Sequence, residues 1–151
     1  MLHTAENTAV WQEFDARYRP VLIAFARRAG LSLADAEDAA QEALLRFVKR
    51  YREGGYDRSR GRLRAWMAAI ARNCVIDVHR ARAARREVDA SQFDAFPFDE
   101  QESETLWLDE CNRAIMQRAL VELRANSRTD PRTLEAFELV AFAQRPAAEV
   151  A

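Results

Sequence analysis

With 151 residues, 49% of them apolar, the chain has room for one domain or two very small ones and enough apolar side chains for a packed core. Four Gly, four Pro and the lack of long Val/Ile/Thr runs favour helices over sheet, and no apolar stretch approaches the ~20 residues of a membrane span. The net charge of −1 conceals segregation: residues 1–45 carry −3, residues 46–86 carry +10, residues 87–110 carry −9 and residues 111–151 carry +1.

Met1 to Val10 has no basic segment followed by an apolar core, so no signal peptide is expected and the chain reads as cytoplasmic. From about residue 8, Trp11, Phe14, Tyr18, Leu22, Phe25 and Ala29 recur at steps of three and four, a helical stripe. Pro20 lies inside it and is expected to kink or split it; Gly30 ends it. Ser32 with Asp35 three residues on has the capping-box pattern that opens a helix. Ala36, Ala40, Leu44, Phe47 and Tyr51 form the apolar stripe of that second helix, which should run to about Glu53 and stop at Gly54-Gly55. A loop follows over 56–61. A third helix is expected from about Arg62, with Leu63, Trp66, Met67, Ile70, Cys74 and Val78 on one side, continuing into the Arg-rich stretch Arg80 to Arg86.

Residues 87–104 lack a clear period, are dense in acids and read as a linker. A second helical unit is expected over 105–125, bearing Leu108, Ile115, Ala119, Leu120 and Leu123. Asp130 then caps and Pro131 opens another helix with Leu134, Phe137 and Phe142, and Pro146 opens a last segment. The expected fold is therefore all-α: a compact bundle over 8–86, an acidic linker over 87–104 and an incomplete C-terminal helical unit over 105–151.

Two surfaces carry the functional reading. On the second helix, Asp38, Gln41, Glu42 and Leu45, with Asp35 before them, lie on adjoining surface opposite the core stripe. An acidic face with an apolar residue inside it suits docking to a basic partner, although a solvated helix face has the same pattern. The other surface is the loop and third helix. Arg58, Arg60, Arg62 and Arg64 alternate through the loop, and Arg72, His79, Arg80, Arg82, Arg85 and Arg86 follow. Thirteen Arg or Lys against three acids over 46–86 make the concentrated positive field that nucleic-acid backbone binding needs. Of the 23 basic residues only Lys49 is lysine; arginine suits bidentate phosphate contacts, and a GC-rich genome would produce the same bias. Tyr56 and Trp66 offer aromatic faces on which unpaired bases can stack, and Asn73 is fit to hydrogen-bond a base edge. At its spacing from Leu63 and Ile70, Trp66 reads as core packing first and as a stacking face second.

No nucleophile-and-base arrangement, Gly-rich phosphate loop or metal-ligand spacing is present in the sequence, so neither enzyme chemistry nor a cofactor or metal is expected. Cys74 and Cys111 lie in helix-like segments and read as unreactive free thiols.

The run Asp35-Ala36-Glu37-Asp38-Ala39-Ala40-Gln41-Glu42, then Arg62-Leu63-Arg64-Ala65-Trp66-Met67-Ala68-Ala69-Ile70-Ala71-Arg72-Asn73, then Asp77 and Arg80, resembles region two of the extracytoplasmic-function group of sigma factors in order and spacing over about residues 10–86. Residues 105–151 resemble the start of the region-four domain, with Glu149-Val150-Ala151 at the opening of its helix-turn-helix; the recognition helix would follow Ala151, which points to a truncated region four. The resemblance implies a transcription initiation factor without covalent chemistry. Asp35, Asp38, Gln41, Glu42 and Leu45 would dock on the clamp helices of the largest subunit of RNA polymerase core. The loop Tyr56 to Arg64 would capture a base flipped from the non-template strand of the melted minus-ten promoter element, since a base is read in a pocket only after it leaves the stack. The helix Asn73 to Arg86, with Asp77 in it, would lie on DNA at the upstream edge of the bubble. An anti-sigma regulator is common in this group, and nothing in the sequence identifies one. The rival reading is a stand-alone helical DNA-binding regulator that does not bind polymerase; a weaker one is a protein-interaction bundle whose Arg block meets an acidic partner.

Overall fold

The computed structural model describes residues 2–85, 99–126 and 128–141. Among them the chain is all-α, with helices α1 (Leu2–Arg28), α2 (Leu33–Arg52), α3 (Leu63–Arg85), α4 (Glu100–Asn126) and α5 (Pro131–Ala141). The chain divides into two compact units, residues 1–111 and 112–151.

The first unit is built on the packing of α1, α2 and α3. Phe25 and Leu22 of α1, Ala36, Ala40 and Phe47 of α2, and Met67, Ile70 and Val75 of α3 are buried. Small residues bring the helices close: Ala39, Ala43, Ala68 and Ala71 are also buried. Phe25 is 0% exposed, and burial of such a side chain contributes about 1.5–3 kcal/mol. The expected stripe on α1 holds in its second half, with Leu22, Phe25 and Ala29 buried, whereas Trp11, Phe14 and Tyr18 are half-buried. On α2, Tyr51 departs from the expected core and is 49% exposed.

Pro20 neither splits α1 nor ends it; the helix is continuous from Leu2 to Arg28. Its ring is on the exposed side, one turn beyond exposed Ala16. The Ala16 carbonyl, deprived of its N–H donor, is therefore on the side where water can bond it. The buried residues Val21, Leu22, Phe25 and Ala26 hold the following turns in place.

Local chemistry sets the other ends. The α1 terminus closes with Leu31 N–H bonding the Ala26 carbonyl at 3.1 Å and Gly30 N–H bonding the Arg27 carbonyl at 3.0 Å, the reciprocal pair of a Schellman cap. Ser32 caps α2, accepting from Asp35 N–H at 3.2 Å while its hydroxyl donates to the Asp35 carboxylate at 2.6 Å. The same Schellman pattern ends α2 at Gly54 and Gly55, for two reasons. Gly54 has φ 74°, a left-handed conformation that other residues rarely adopt. A Cβ on Gly55 would lie 2.9 Å from the Arg50 carbonyl oxygen.

The acidic stretch expected as a linker over 87–104 is helical from Glu100 onward; residues 86–98 lie outside the described residues. Asp99 is the N-cap of α4, its carboxylate accepting from Glu102 N–H at 2.7 Å while Glu102 accepts from Asp99 N–H at 2.9 Å. The first three turns of α4 belong to the first unit. Ser103, Leu106, Trp107, Glu110 and Cys111 are buried, a strict helical stripe. Trp107 meets Phe25 edge-on at 5.8 Å between ring centroids, and Glu110, only 6% exposed, accepts from Arg28 at 2.9 Å. Thus the helix expected from residue 105 starts earlier, and the unit boundary falls after Cys111.

In the second unit, Leu120 and Leu134 are buried, whereas Ile115, Leu123 and Phe137 are 54%, 47% and 45% exposed. Ala119 is exposed as well, and Leu108, in the first unit, is 37% exposed. Asp130 caps α5 by accepting from Arg132 N–H at 2.9 Å, ahead of Pro131 as the sequence implies. Phe142, Pro146 and Glu149-Val150-Ala151 lie outside the described residues.

Candidate functional site

The outer face of α2 presents Asp38, Gln41, Glu42 and Leu45 to solvent, with Leu45 56% exposed. Two of these polar groups are already held. Gln41 accepts from Arg19 of α1 at 2.8 Å, and Glu42 accepts from Arg46 at 2.7 Å. Arg19 also forks onto Asp15, whose hydrogen bonds to the guanidinium hold its pKa below the ordinary carboxylate value. Beside Gln41 and Leu45 an open groove of about 510 Å³ runs between α1 and α2, with Trp11, Phe14, Leu44 and Val48 in its walls and Lys49 and Arg52 at its rim. Asp35 lies one turn before Asp38. It is half-buried at the start of α2 and paired with Arg82 of α3.

The loop after α2 is ordered by Asp57. Its carboxylate accepts from both the N–H (2.8 Å) and the hydroxyl (2.6 Å) of Ser59, which lower its pKa, and Arg60 N–H bonds its carbonyl at 3.0 Å. Arg58, Arg60, Arg62 and Arg64 are exposed around this turn; Arg60, 88% exposed, is 3.6 Å from Asp57. Tyr56 and Trp66 are both half-buried and stack on each other at 5.3 Å, 29° apart. Tyr51 stacks on Tyr56 at 6.4 Å, and Phe47 lies 5.2 Å from Trp66. The aromatic faces expected for bases are thus engaged with one another.

Along α3, Asn73, Arg80 and Arg85 are exposed, and Arg72 is half-buried. Asp77 accepts from Arg46 of α2 at 2.9 Å. His79 places its ring nitrogen 3.2 Å from the Ala29 carbonyl, which fastens α3 to the end of α1. Arg82 is turned to the start of α2, where it meets Asp35 and also donates to the Ser32 hydroxyl at 3.2 Å. Arg86 lies outside the described residues. The two expected surfaces therefore lie on adjacent helices and are joined by ion pairs at Asp35–Arg82 and Arg46–Asp77. Arg19 and Arg46, which organise the acidic face, were not among the expected site residues. Their spacing of four from Asp15 and from Glu42 is the sequence signal that could have found them.

Residues 14–86 match the family model of sigma-70 region 2. The match makes this segment similar to sigma-70 region 2 and suggests sigma-factor-like transcription initiation for it. Comparison with curated proteins and with solved structures gave no match. The region 2 segment spans all of α2 and α3 and most of α1, so both candidate surfaces fall inside it. Among the described residues no group of His, Cys, Asp and Glu is placed to hold a metal ion, and no helix is long and apolar enough to cross a membrane. Burial pushes the Cys74 thiol up to about 11 and raises that of Cys111 as well, which leaves both in the unreactive form at neutral pH.

Proposed function

We propose that the protein is a transcription initiation factor of the extracytoplasmic-function group that docks on RNA polymerase core through α2 and opens the minus-ten element with its basic loop and α3. The observation that carries this reading is the placement, within a segment matching sigma-70 region 2, of an exposed acidic face beside an arginine-rich loop and helix. Asp38, Gln41, Glu42 and Leu45 form the docking face for the clamp helices of the largest subunit. Leu45 supplies the apolar contact, and the groove beside it accepts a side chain of the partner. Around the Asp57 turn, Arg58, Arg60, Arg62 and Arg64 hold the backbone of the displaced non-template strand. The stack of Tyr51, Tyr56 and Trp66 is the floor on which the loop presents its base pocket. Asn73, Arg72, Arg80 and Arg85 contact DNA at the upstream edge of the bubble, and residues 105–151 belong to region four.

The test is binding to purified core polymerase. Asp38→Arg together with Gln41→Ala abolishes core binding and leaves far-ultraviolet circular dichroism unchanged. Wild-type affinity in that double variant overturns the docking face and favours a stand-alone DNA-binding regulator.

A further inference from the structure

We propose that Asp35 masks Arg82 from DNA in the free protein, and that a basic surface of polymerase engaging Asp35 releases Arg82 onto the nucleic-acid backbone. The inference rests on the docking and DNA-binding reading above and adds a coupling between its two halves.

The contact is built from three groups at the start of α2. Arg82 of α3 pairs with the Asp35 carboxylate and donates to the Ser32 hydroxyl at 3.2 Å. Asp35 and Ser32 are themselves joined through the capping box, with the Ser32 hydroxyl donating at 2.6 Å. Arg82 is thereby drawn against a helix N-terminus, the positive end of the α2 dipole, where a guanidinium is disfavoured unless a carboxylate holds it. Asp35 is that carboxylate. Arg80 and Arg85, the neighbouring basic residues of α3, are exposed, whereas Arg82 is half-buried in this contact. A partner cation that takes Asp35 removes the restraint and leaves Arg82 repelled by the helix end and free to meet a phosphate. The side chains are 36% and 27% exposed. An ion pair so placed contributes about 0.2–1 kcal/mol, a barrier that one competing contact overcomes.

The test measures affinity for a single-stranded minus-ten oligonucleotide as a function of salt, without polymerase and with it. In the free chain, Asp35→Asn raises affinity about 1.4- to five-fold, the range that 0.2–1 kcal/mol allows, and steepens the log–log salt slope by about 0.7, the increment for one more neutralised phosphate. Glu37→Gln removes a charge of the same sign from an exposed position on the same helix and changes the slope little. Combining Asp35→Asn with Arg82→Gln cancels the gain, which separates release of Arg82 from a general electrostatic effect or a loosened helix cap. With core polymerase bound, Asp35→Asn confers no further gain. Equal slopes for wild type and Asp35→Asn in the free chain overturn the masking while leaving the docking and DNA-binding assignments intact. Failure of the wild type to bind the oligonucleotide even with core polymerase overturns those assignments, and the masking with them.

Discussion

Arg46 of α2 donates to Asp77 of α3 at 2.9 Å and to Glu42, one turn back on its own helix, at 2.7 Å. One guanidinium thus ties a carboxylate of the proposed docking face to a carboxylate lying within the basic helix. The two bonds favour the charged form and raise the Arg46 pKa further. Arg46 also neutralises Asp77, which would otherwise repel a phosphate backbone beside α3.

Replacing Arg46 with Ala should therefore have two separable effects. Its partners are about half exposed, so the stability loss is small, about 1 kcal/mol or less, and shrinks as salt rises. The loss of single-stranded DNA affinity, caused by an uncovered Asp77, should be cancelled by Asp77→Asn. Thermal melts at two salt concentrations and an oligonucleotide titration of the single and double variants check both. DNA affinity unchanged in Arg46→Ala would show that Asp77 does not face the strand.

The buried thiol of Cys74 sets an alkaline limit on stability. Burial is the largest cause of its rise from 9.0 to about 11, with Arg46 working in the opposite direction. The folded pKa is raised, so the native state keeps its proton where the unfolded chain has lost one. Stability from this group is fully present below pH 9, falls between pH 9 and about 11, and is flat in this respect at neutral pH. Cys74→Ala, despite its packing loss, should lessen the decline in urea midpoint across that window. Equal declines in the two proteins would assign the alkaline loss to other groups. In the folded wild type, neither cysteine should react with iodoacetamide at pH 8 on the timescale of an unfolded control.

The loop arginines are expected to act on DNA through charge. Replacing Arg58, Arg60, Arg62 and Arg64 with Ala should reduce the log–log salt slope for single-stranded DNA by about 0.7 for each phosphate no longer neutralised. Helix content and melting temperature should stay close to wild type, because all four side chains are exposed. A slope unchanged in the quadruple variant would make the loop a solvated turn.

What could be read from the sequence is what local chemistry decides. The Ser32–Asp35 cap and the glycines after α2 depend on residues a few positions apart, and both ends of α2 fall where their spacing puts them. The outer face of α2 was legible for the same reason. Contacts between helices were not: nothing local pairs Asp35 with Arg82 or Asp77 with Arg46, and both pairs change how the site residues behave. On α3 the expected stripe missed Ala68, Ala71 and Val75, all buried, because small side chains give weak periodic signal. Tyr56 and Trp66 were recognised as a pair of aromatics, but their mutual stacking depends on how the loop folds back. The start of α4 was hidden by its acids. Asp99 and Glu102 have capping-box spacing, yet the stripe they introduce contains Ser103 and Glu110, polar residues buried with partners the pattern does not show: the Asp99 carbonyl for the Ser103 hydroxyl, and Arg28 of α1 for Glu110.

That misread segment yields a test of where the first unit ends. Trp107 is 0% exposed and packs edge-on against Phe25, while Glu110 is held by Arg28. If these turns of α4 complete the core, Trp107→Ala should destabilise the first unit by about 3–5 kcal/mol, the usual loss for a large aromatic in a packed core. Trp107→Phe should retain much of it, since the edge contact with Phe25 survives. Arg28→Ala should cost more than an ordinary surface pair, because it strands a carboxylate that is only 6% exposed. Urea unfolding followed by circular dichroism, in parallel with limited proteolysis at the α4 start, measures all three variants. Trp107→Ala with a wild-type urea midpoint would show that residues 99–111 are a tether lying on the domain, and that the core closes with α3.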